Sequence, residues 1–265
     1  MKIVVCVKHV PDATAKRSFD AADHTVDRAG VDGLLSELDE YAVEEALTIA
    51  AAGDGDGEVV VLTVGPEQAL DAARKSLQMG AHAAVHVVDD AVHGSDAFGT
   101  SLVLAKAVEK IGSDTPVDIV LCGMASTDGA MGVVPAMLAE RLGLSQVTFA
   151  AEVTIDGTKV TARRDGDVAT ETVEATMPLV LSVTDQINEP RYPSFKGIMA
   201  AKKKTVETWS LADLGVDPSE VGLAAAWTSV QEVAARPPRS HGEVVTDDGD
   251  GGRQLVEYLA GQKLI

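Results

Sequence analysis

The chain has 265 residues, of which 46% are hydrophobic, and its formal net charge at pH 7 is −19. A chain of this length and composition can bury its core as one large domain or as one domain with an extension. The strong negative charge argues against nucleic acid as the main partner, because the phosphate backbone would be repelled.

The cysteines and the apolar runs indicate the compartment. Cys6 and Cys122 both lie inside apolar, strand-like runs, which predicts buried free thiols and a reducing, cytoplasmic environment. The first apolar run, Ile3 to Val7, ends at Lys8, so it does not predict a signal peptide. No later run has the length needed to cross a bilayer, and no membrane insertion is expected.

Apolar runs and helical patterns alternate through the first half of the chain. Residues 2–7 are rich in β-branched side chains and predict a buried strand that ends in a turn at residues 9–12. A helix is predicted at residues 41–51, after Asp39 and Glu40, with Gly53 as its stop. Strands that alternate with helices imply a doubly wound, mostly parallel, Rossmann-like α/β sheet. The pattern continues with a strand at 58–64, a helix at 67–79, a strand at 83–88, a helix from Ser95 or Asp96 to about Ile111, a strand at 117–122 and a helix at 133–142.

The pattern changes after residue 146. Short strand-like runs separated by Asp-Gly turns predict hairpins, and the apolar run at 178–184 is expected to join the main sheet. Residues 205–250 show no clear alternation and predict an extended arm that packs on a partner, with a mobile tail as the alternative. A short helix is predicted at 253–262. The predicted division is an α/β domain at 1–186, a partner-recognition loop at 187–204 and a C-terminal arm at 205–265.

Residues 188–204, called the basic segment below, differ from the rest of the chain. Five of the 22 Lys and Arg lie between residues 191 and 204, with no Asp or Glu among them. Pro190 and Pro193 restrict the backbone and disfavour a regular helix. Aromatic residues at 192 and 195 supply an apolar tip between cationic flanks, which is typical of a docking element. A solvated, lysine-rich loop with one buried aromatic is the alternative.

The amino-acid sequence of the basic segment resembles the corresponding segment in the β (small) subunits of electron transfer flavoproteins. The match comprises Asn188–Tyr192, Ile198–Met199 and Ala201–Lys204. In that family the segment is the recognition loop for partner dehydrogenases, and an apolar side chain at its tip fills a pocket on the partner. The resemblance places Phe195 at the tip, where the family usually has Leu. The partner-binding residues that it implies are Arg191, Tyr192, Phe195, Ile198 and Met199.

Residues 123–133, called the glycine turn below, are the best anion site in the sequence. A predicted strand ends at Gly123, and the chain passes through Gly129 and Gly132 into a helix with Pro135 in its first turn. Glycines permit close backbone approach, and the free N–H groups and dipole of a helix start favour a phosphate.

Polar side chains in the glycine turn could add to such a site. Ser126 and Thr127 can donate hydroxyl hydrogen bonds, and Asp128 can orient the turn or cap the helix. Similar turns occur in many α/β proteins that bind no ligand. The glycine spacing fits neither a P-loop nor the Rossmann fingerprint.

The glycine turn is also similar to the flavoprotein β subunit, at Gly123, Asp128, Met137, Ala139, Leu142 and Gly143. In the family this turn holds the phosphate of AMP. Residues 36–39 depart from the usual Asn-Pro-Phe-Asp, and residues 124–126 from Lys-Gln-Ala, which leaves the adenine and ribose contacts less secure than the phosphate contact. The AMP-binding residues that the resemblance implies are Cys6, Ser36, Glu37, Leu38, Asp39, Val64, Gly123, Ser126, Thr127, Asp128, Gly129, Ala130, Met131, Gly132, Val133 and Val134.

The resemblance implies an electron carrier without catalytic residues of its own. It would pair with a larger α subunit, with FAD near the shared interface and AMP as a structural ligand. Electrons would pass from flavin dehydrogenases, such as the acyl-CoA dehydrogenases of fatty acid oxidation, to a membrane quinone reductase or another acceptor.

Two alternatives stay open at this point. One is a bifurcating flavoprotein subunit that binds a second FAD in place of AMP. The other is an adenine-nucleotide-binding regulator of the universal-stress type, although the glycine spacing after Gly132 does not fit that motif.

Two further features favour structural roles. His82 and His86 have a spacing of four residues, but no third ligand is near in sequence and no zinc site is predicted. Arg164 and Asp165 stand where family members often have Arg-Glu, which is implicated there in holding the flavin domain of the partner, and a solvated hairpin turn is the alternative.

Overall fold

The computed structural model describes the chain apart from residues 53–56, 235–236, 239–241 and 243. The described residues form two units, Met1–Gln231 and Glu232–Ile265. The first unit contains both sheets, and all buried hydrophobic side chains of the described residues lie in it.

Eleven strands of the described residues form the sheets of the first unit. They are β1 (Lys2–Cys6), β2 (His9–Pro11), β3 (Gly33–Leu35), β4 (Glu58–Val64), β5 (Ala83–Val87), β6 (Ile119–Gly123), β7 (Ser145–Asp156), β8 (Lys159–Asp165), β9 (Thr170–Thr176), β10 (Leu179–Val183) and β11 (Val206–Trp209). β2 and β3 form a two-stranded ribbon, and the others form a nine-stranded sheet in the order β11-β5-β4-β1-β6-β10-β7-β8-β9. Neighbouring strands are parallel from β11 to β7, and β8 and β9 continue the sheet antiparallel. The predicted α/β fold with a mostly parallel sheet is confirmed.

Helices cover both faces of this sheet. The α-helices of the described chain are α1 (Glu37–Ala52), α2 (Leu70–Met79), α3 (Ala97–Ile111), α4 (Val134–Leu142), α5 (Phe195–Ala201), α6 (Leu211–Leu214), α7 (Gly222–Ala225) and α8 (Gly251–Gly261). Ile3 of β1 belongs to a core cluster with Val43 of α1, whereas Val4 belongs to a second cluster with Leu138 of α4. Continuous apolar strands are buried on both faces in this way, which explains why they do not alternate with polar residues.

The order of the strands reverses at β1. From β1 the chain proceeds to β4 and β5 on one side, and then returns to place β6 on the other side. In open α/β sheets, ligands bind outside the carboxyl ends of the strands at such a switch point. The functional site is therefore expected beyond the carboxyl ends of β1 and β6.

Two helical boundaries differ from the sequence prediction. α1 begins at Glu37, four residues before the predicted start, because its first turn contains Glu37, Asp39 and Glu40, which are favourable near a positive helix end. The predicted stop at Gly53 lies outside the described residues, and the helix is described to Ala52.

The predicted absence of a helix from the basic segment is wrong for its second half. α5 begins at Phe195, directly after Ser194, whose side chain accepts a hydrogen bond from the Gly197 N–H. The helix starts beyond Pro193, so neither proline interrupts its hydrogen bonds. A serine cap after a proline is a helix start signal that the sequence prediction missed.

The chain after residue 205 is also more ordered than an extended arm. β11 pairs in parallel with β5 at the edge of the sheet. Leu211, Leu214, Val216 and Val221 are buried against the α3 side of the core. The folded unit therefore continues to Gln231, because side chains far apart in sequence complete its core.

The second unit contains α8, within two residues of the predicted helix at each end. Its apolar side chains Leu255, Val256 and Tyr258 are each more than half exposed. Among all the helices that the structure describes, none has the length and apolar character needed to cross a membrane.

Candidate functional site

The predicted nucleotide residues meet at the switch point of the sheet. Cys6 and Cys122 are directly in register on β1 and β6, and both are buried free thiols. Val64 ends β4, the neighbour of β1 on the other side. The glycine turn follows β6. Residues 36–39 comprise Ser36 and the first three residues of α1, which packs on β1 and β6.

Asp39 joins the start of α1 to the ends of β1 and β6. Its Oδ2 atom accepts a hydrogen bond from the Lys8 backbone N–H at 2.8 Å. A Cβ atom at Gly123 would lie 2.6 Å from Asp39 Oδ1 and 2.7 Å from the Leu38 carbonyl oxygen. Gly123 is therefore required for the close approach of the glycine turn to α1.

The Asp39 carboxyl titrates far above the usual range of an aspartate. Burial raises its pKa to about 7, although hydrogen bonding to the Lys8 N–H, the Lys8 charge and the Gly123 N–H act in the opposite direction. A buried carboxyl of this kind exchanges its proton near neutral pH.

Charged side chains hold the glycine turn in place. Lys8 Nζ lies 2.8 Å from Asp128 Oδ1, and Arg28 donates to Asp128 Oδ2 through Nε at 3.1 Å and Nη2 at 2.6 Å. Arg17 Nη2 donates to the Thr127 carbonyl oxygen at 3.2 Å. Burial raises the Asp128 pKa, but Lys8 and Arg28 outweigh burial and hold it well below its usual range.

The backbone of the glycine turn leaves N–H groups at the start of α4 without side-chain caps. Asp128 accepts from the Gly129 N–H and so orients the turn, whereas the residue at the N-cap of α4 is Val133, which has no capping side chain. Pro135 lies in the first turn, as predicted. Ala130 and Gly132 have positive φ angles of 51° and 65°. This arrangement of free N–H groups suits an anion.

Two buried hydroxyl groups belong to this part of the chain, since Ser36 is one of the predicted nucleotide residues and Thr63 precedes Val64. Ser36 and Thr63 are both 0% exposed. Their hydroxyl oxygens make no hydrogen bond to any described residue. Because a buried polar group without a partner is costly, these hydroxyls fit a site that holds a polar ligand.

The first half of the basic segment is attached to α1. Asn188 Nδ2 donates to the Tyr41 carbonyl oxygen and to Glu45 Oε2, each at 3.1 Å. Arg191 donates to both carboxylate oxygens of Glu44, at 2.6 Å and 2.8 Å. The Arg191 side chain is therefore engaged inside the chain, which makes it an anchor of the segment.

The second half presents apolar side chains to solvent. Tyr192 is 92% exposed, Phe195 80% and Met199 46%, whereas Ile198 is partly buried. Lys204 is turned inward, and its ammonium donates to the carbonyl oxygens of Leu77, Gly80 and Ala81 at 2.5 to 3.1 Å. The tip of the segment thus keeps its aromatic side chains free while both ends are held.

The remaining candidates have partners within the chain. Arg164 donates to Glu171 across the β8–β9 pair, and Asp165 pairs with Arg163. His82 Nδ1 accepts from the Val59 N–H, at the start of the neighbouring strand. In the part of the chain that the structure describes, no group of three or more His, Cys, Asp or Glu side chains could hold a metal ion.

Comparison with known proteins assigns the chain to a family. The profile of the electron transfer flavoprotein domain matches residues 23–214. A curated relative from Mycobacterium bovis, named electron transfer flavoprotein subunit beta, is 50% identical over 99% of each chain. The chain belongs to the electron transfer flavoprotein family. A β subunit from Megasphaera elsdenii is 36% identical over the full length of both proteins. Subunit CarD of the caffeyl-CoA reductase–Etf complex of Acetobacterium woodii is 35% identical, over 93% of this chain and 92% of its own.

The family resemblance drawn from the basic segment and the glycine turn is confirmed by these relatives. Three residues that contact the glycine turn were not predicted from the sequence: Lys8, Arg17 and Arg28. Lys8 lies two residues after the end of β1, and a basic residue near the carboxyl end of a parallel strand is a usable signal for an anion site. Arg17 and Arg28 lie in an irregular stretch and have no such signal.

Proposed function

We propose that this chain is the small subunit of a heterodimeric electron transfer flavoprotein and holds AMP as a structural ligand. The proposed nucleotide site is supported by one observation: residues 36–39 and the glycine turn converge at the switch point of the sheet. The electron carrier role is supported by relatives that are named as electron transfer flavoprotein subunits. The two buried free cysteines support the proposed cytoplasmic location.

AMP fits the residues at this point. The uncapped start of α4 offers backbone N–H groups to a phosphate, and Gly129 and Gly132 permit close approach. The Ser36 hydroxyl has no hydrogen-bond partner among the described residues and is proposed to bond a polar edge of the nucleoside. The residues proposed to hold AMP are Cys6, Ser36, Glu37, Leu38, Asp39, Val64, Gly123, Ser126, Thr127, Asp128, Gly129, Ala130, Met131, Gly132, Val133 and Val134.

FAD is proposed to lie on the larger α subunit near the shared interface, where it would supply the redox chemistry. This chain contributes a scaffold for that subunit and a docking element for the electron donor. The basic segment is proposed to bind acyl-CoA and related dehydrogenases through Tyr192, Phe195, Ile198 and Met199, with Arg191 at its base. A membrane quinone reductase is proposed as one acceptor.

The nucleotide content of the purified complex tests the proposal. The chain is produced with its flavin-bearing subunit, the complex is denatured with acid, and the released nucleotides are quantified by mass spectrometry. One FAD and one AMP for each heterodimer are expected. A complex with no adenine nucleotide besides one FAD would contradict the AMP site.

A second candidate is a bifurcating subunit that binds a second FAD in place of AMP. It is favoured by the relative that is named as a subunit of a caffeyl-CoA reductase–Etf complex. Two FAD and no AMP for each heterodimer would establish it. The regulator of the universal-stress type is set aside because the chain belongs to the electron transfer flavoprotein family.

A further inference from the structure

Three cationic side chains converge on the glycine turn of a strongly acidic protein. The formal net charge of the chain is −19. Lys8 contacts Asp128 and lies 3.5 Å from Ser126 Oγ, Arg28 pairs with Asp128, and Arg17 contacts the Thr127 carbonyl oxygen. Because the acidic surface elsewhere repels an anion, this local group of cations offers an anion a favourable place to bind.

The carboxylate in this cluster does not neutralise it. The Asp128 side chain is 1% exposed and remains ionised between Lys8 and Arg28. With Arg17 included, three positive charges face the negative charge of Asp128 and that of Asp39, whose pKa of about 7 leaves it only partly ionised at neutral pH. The cluster therefore retains net positive charge beside the free N–H groups of the turn.

The cations can still reach a ligand. The side chains of Lys8 and Arg28 are 41% and 40% exposed. Arg28 uses Nε and Nη2 for Asp128, and among the described residues its Nη1 has no acceptor. Lys8 Nζ lies 3.8 Å from the position that a Cβ atom would take at Gly129. A guanidinium with free donors beside a glycine is suited to phosphate.

Arg17 and Arg28 both come from residues 12–32, the connection between β2 and β3. This connection contributed no residue to the site predicted from sequence. Its two arginines reach the glycine turn over separations of 110 and 100 residues. The connection thus adds charge to a site built by β1, β6, α1 and α4.

We propose that Arg28 and Arg17 are further binding residues of the nucleotide site, which compensate the charge of the phosphate. This inference rests on the proposed function. It predicts that phosphate binding, and not recognition of the nucleoside, depends on Arg28.

The test compares AMP with adenosine, which lacks the phosphate. The heterodimer is freed of nucleotide with charcoal, and both ligands are titrated by calorimetry against wild type and Arg28→Gln. AMP is expected to bind about tenfold more weakly to Arg28→Gln, as for a lost charge-assisted hydrogen bond. The AMP affinity of Arg28→Gln is also expected to change less than that of wild type as the KCl concentration is raised. Adenosine affinity is expected to stay within about twofold.

Two matched variants complete the experiment. Arg28→Lys keeps the charge and is expected to retain most of the AMP affinity. Arg74→Gln removes an exposed arginine that pairs with Asp71 on α2, and no change in AMP affinity is expected.

The outcomes separate the two proposals. If wild type binds AMP and Arg28→Gln binds it equally well, the inference is overturned and the nucleotide site stands. An equal loss of AMP and adenosine affinity would also overturn it, because Arg28 would then only support the fold. If wild type binds neither ligand, the proposed nucleotide site itself is contradicted.

Discussion

Phe195 is a large aromatic side chain that the fold leaves 80% exposed at the start of α5. Because little of the Phe195 side-chain surface is removed from water, its burial stabilises the isolated chain only slightly. An exposed aromatic between anchored ends has the properties of an interface hot spot. Phe195 is expected to contribute free energy of binding when a partner protein buries its side chain.

Phe195→Ala is therefore expected to slow electron transfer from the cognate dehydrogenase by roughly ten- to thirtyfold, the loss typical of a hot-spot residue. Stopped-flow reduction of the flavin at limiting complex concentration measures this rate. The FAD content and the thermal unfolding of the complex should not change.

Val168→Ala is the control for this measurement. Val168 is 99% exposed in the turn between β8 and β9, so the substitution removes an apolar side chain of a different surface. If both substitutions slow transfer equally, or if neither does, Phe195 is not the anchor.

Asp39 links protonation to stability. Its folded-state pKa of about 7 lies above the ordinary value of 3.8, so the folded state binds a proton that the unfolded state releases. The stabilisation from this proton is complete below pH 3.8 and is lost as the pH rises through 7.

The free energy of unfolding of Asp39→Asn is expected to depend less on pH in this window. For wild type, ionisation of Asp39 lowers the free energy of unfolding by up to about 1.4 kcal/mol for each unit by which the pH rises between 4 and 7. Urea unfolding at pH 5, 6 and 7 measures the slope. The amide introduced by Asp39→Asn has one acceptor oxygen for the two backbone N–H donors, so absolute stability falls, but only an unchanged slope would contradict the prediction.

At the scale of elements, part of the basic segment has a structural role besides the docking role that we propose for it. Its first half is attached to α1 through Asn188 and Arg191, and its last residue, Lys204, covers the carboxyl end of α2. Cations stabilise a helix at this end, where carbonyl groups lack intrahelical partners. The positive charge that first indicates a docking surface is thus partly used to hold α2.

Lys204→Met is expected to lower the free energy of unfolding by about 1 to 2 kcal/mol, because three carbonyl oxygens lose a charged donor. Chemical denaturation of the chain checks this value. Lys203→Met is the matched control, since Lys203 is exposed, and its stability should stay near that of wild type. Equal effects of the two substitutions would show that Lys204 is not a helix cap.

At the scale of the whole molecule, the two units differ in what stabilises them. The first unit has apolar clusters on both faces of its sheet. In the second, α8 has 11 residues and exposes Leu255, Val256 and Tyr258. An isolated helix of that length is marginal in water, so its apolar side chains need a partner surface.

A chain that ends at Gln231 is expected to keep a cooperative unfolding transition but to bind the flavin-bearing subunit at least about tenfold more weakly, as after loss of hot-spot contacts. Circular dichroism measures folding, and co-purification with the flavin-bearing subunit at decreasing concentration measures assembly. If assembly is unaffected, residues 232–265 are a mobile tail. If folding is lost, the first unit does not stand alone.

The sequence by itself determined the parallel sheet, most element positions and the family. β4 matches its predicted range of 58–64, because apolar periodicity and glycine or proline signals act over a few residues. The glycine turn and the basic segment were found for the same reason, since each is continuous in the chain.

Only the tertiary structure decided which distant residues meet. Arg28 and Asp128 are 100 residues apart, and Lys204 is 127 residues from Leu77. Local pattern does not contain such pairs, because the order of strands and the packing of helices bring them together. For that reason the sequence predicted a nucleotide site and a docking tip. The structure brought Arg17 and Arg28 to the residues of the first and attached the two ends of the second through Arg191 and Lys204.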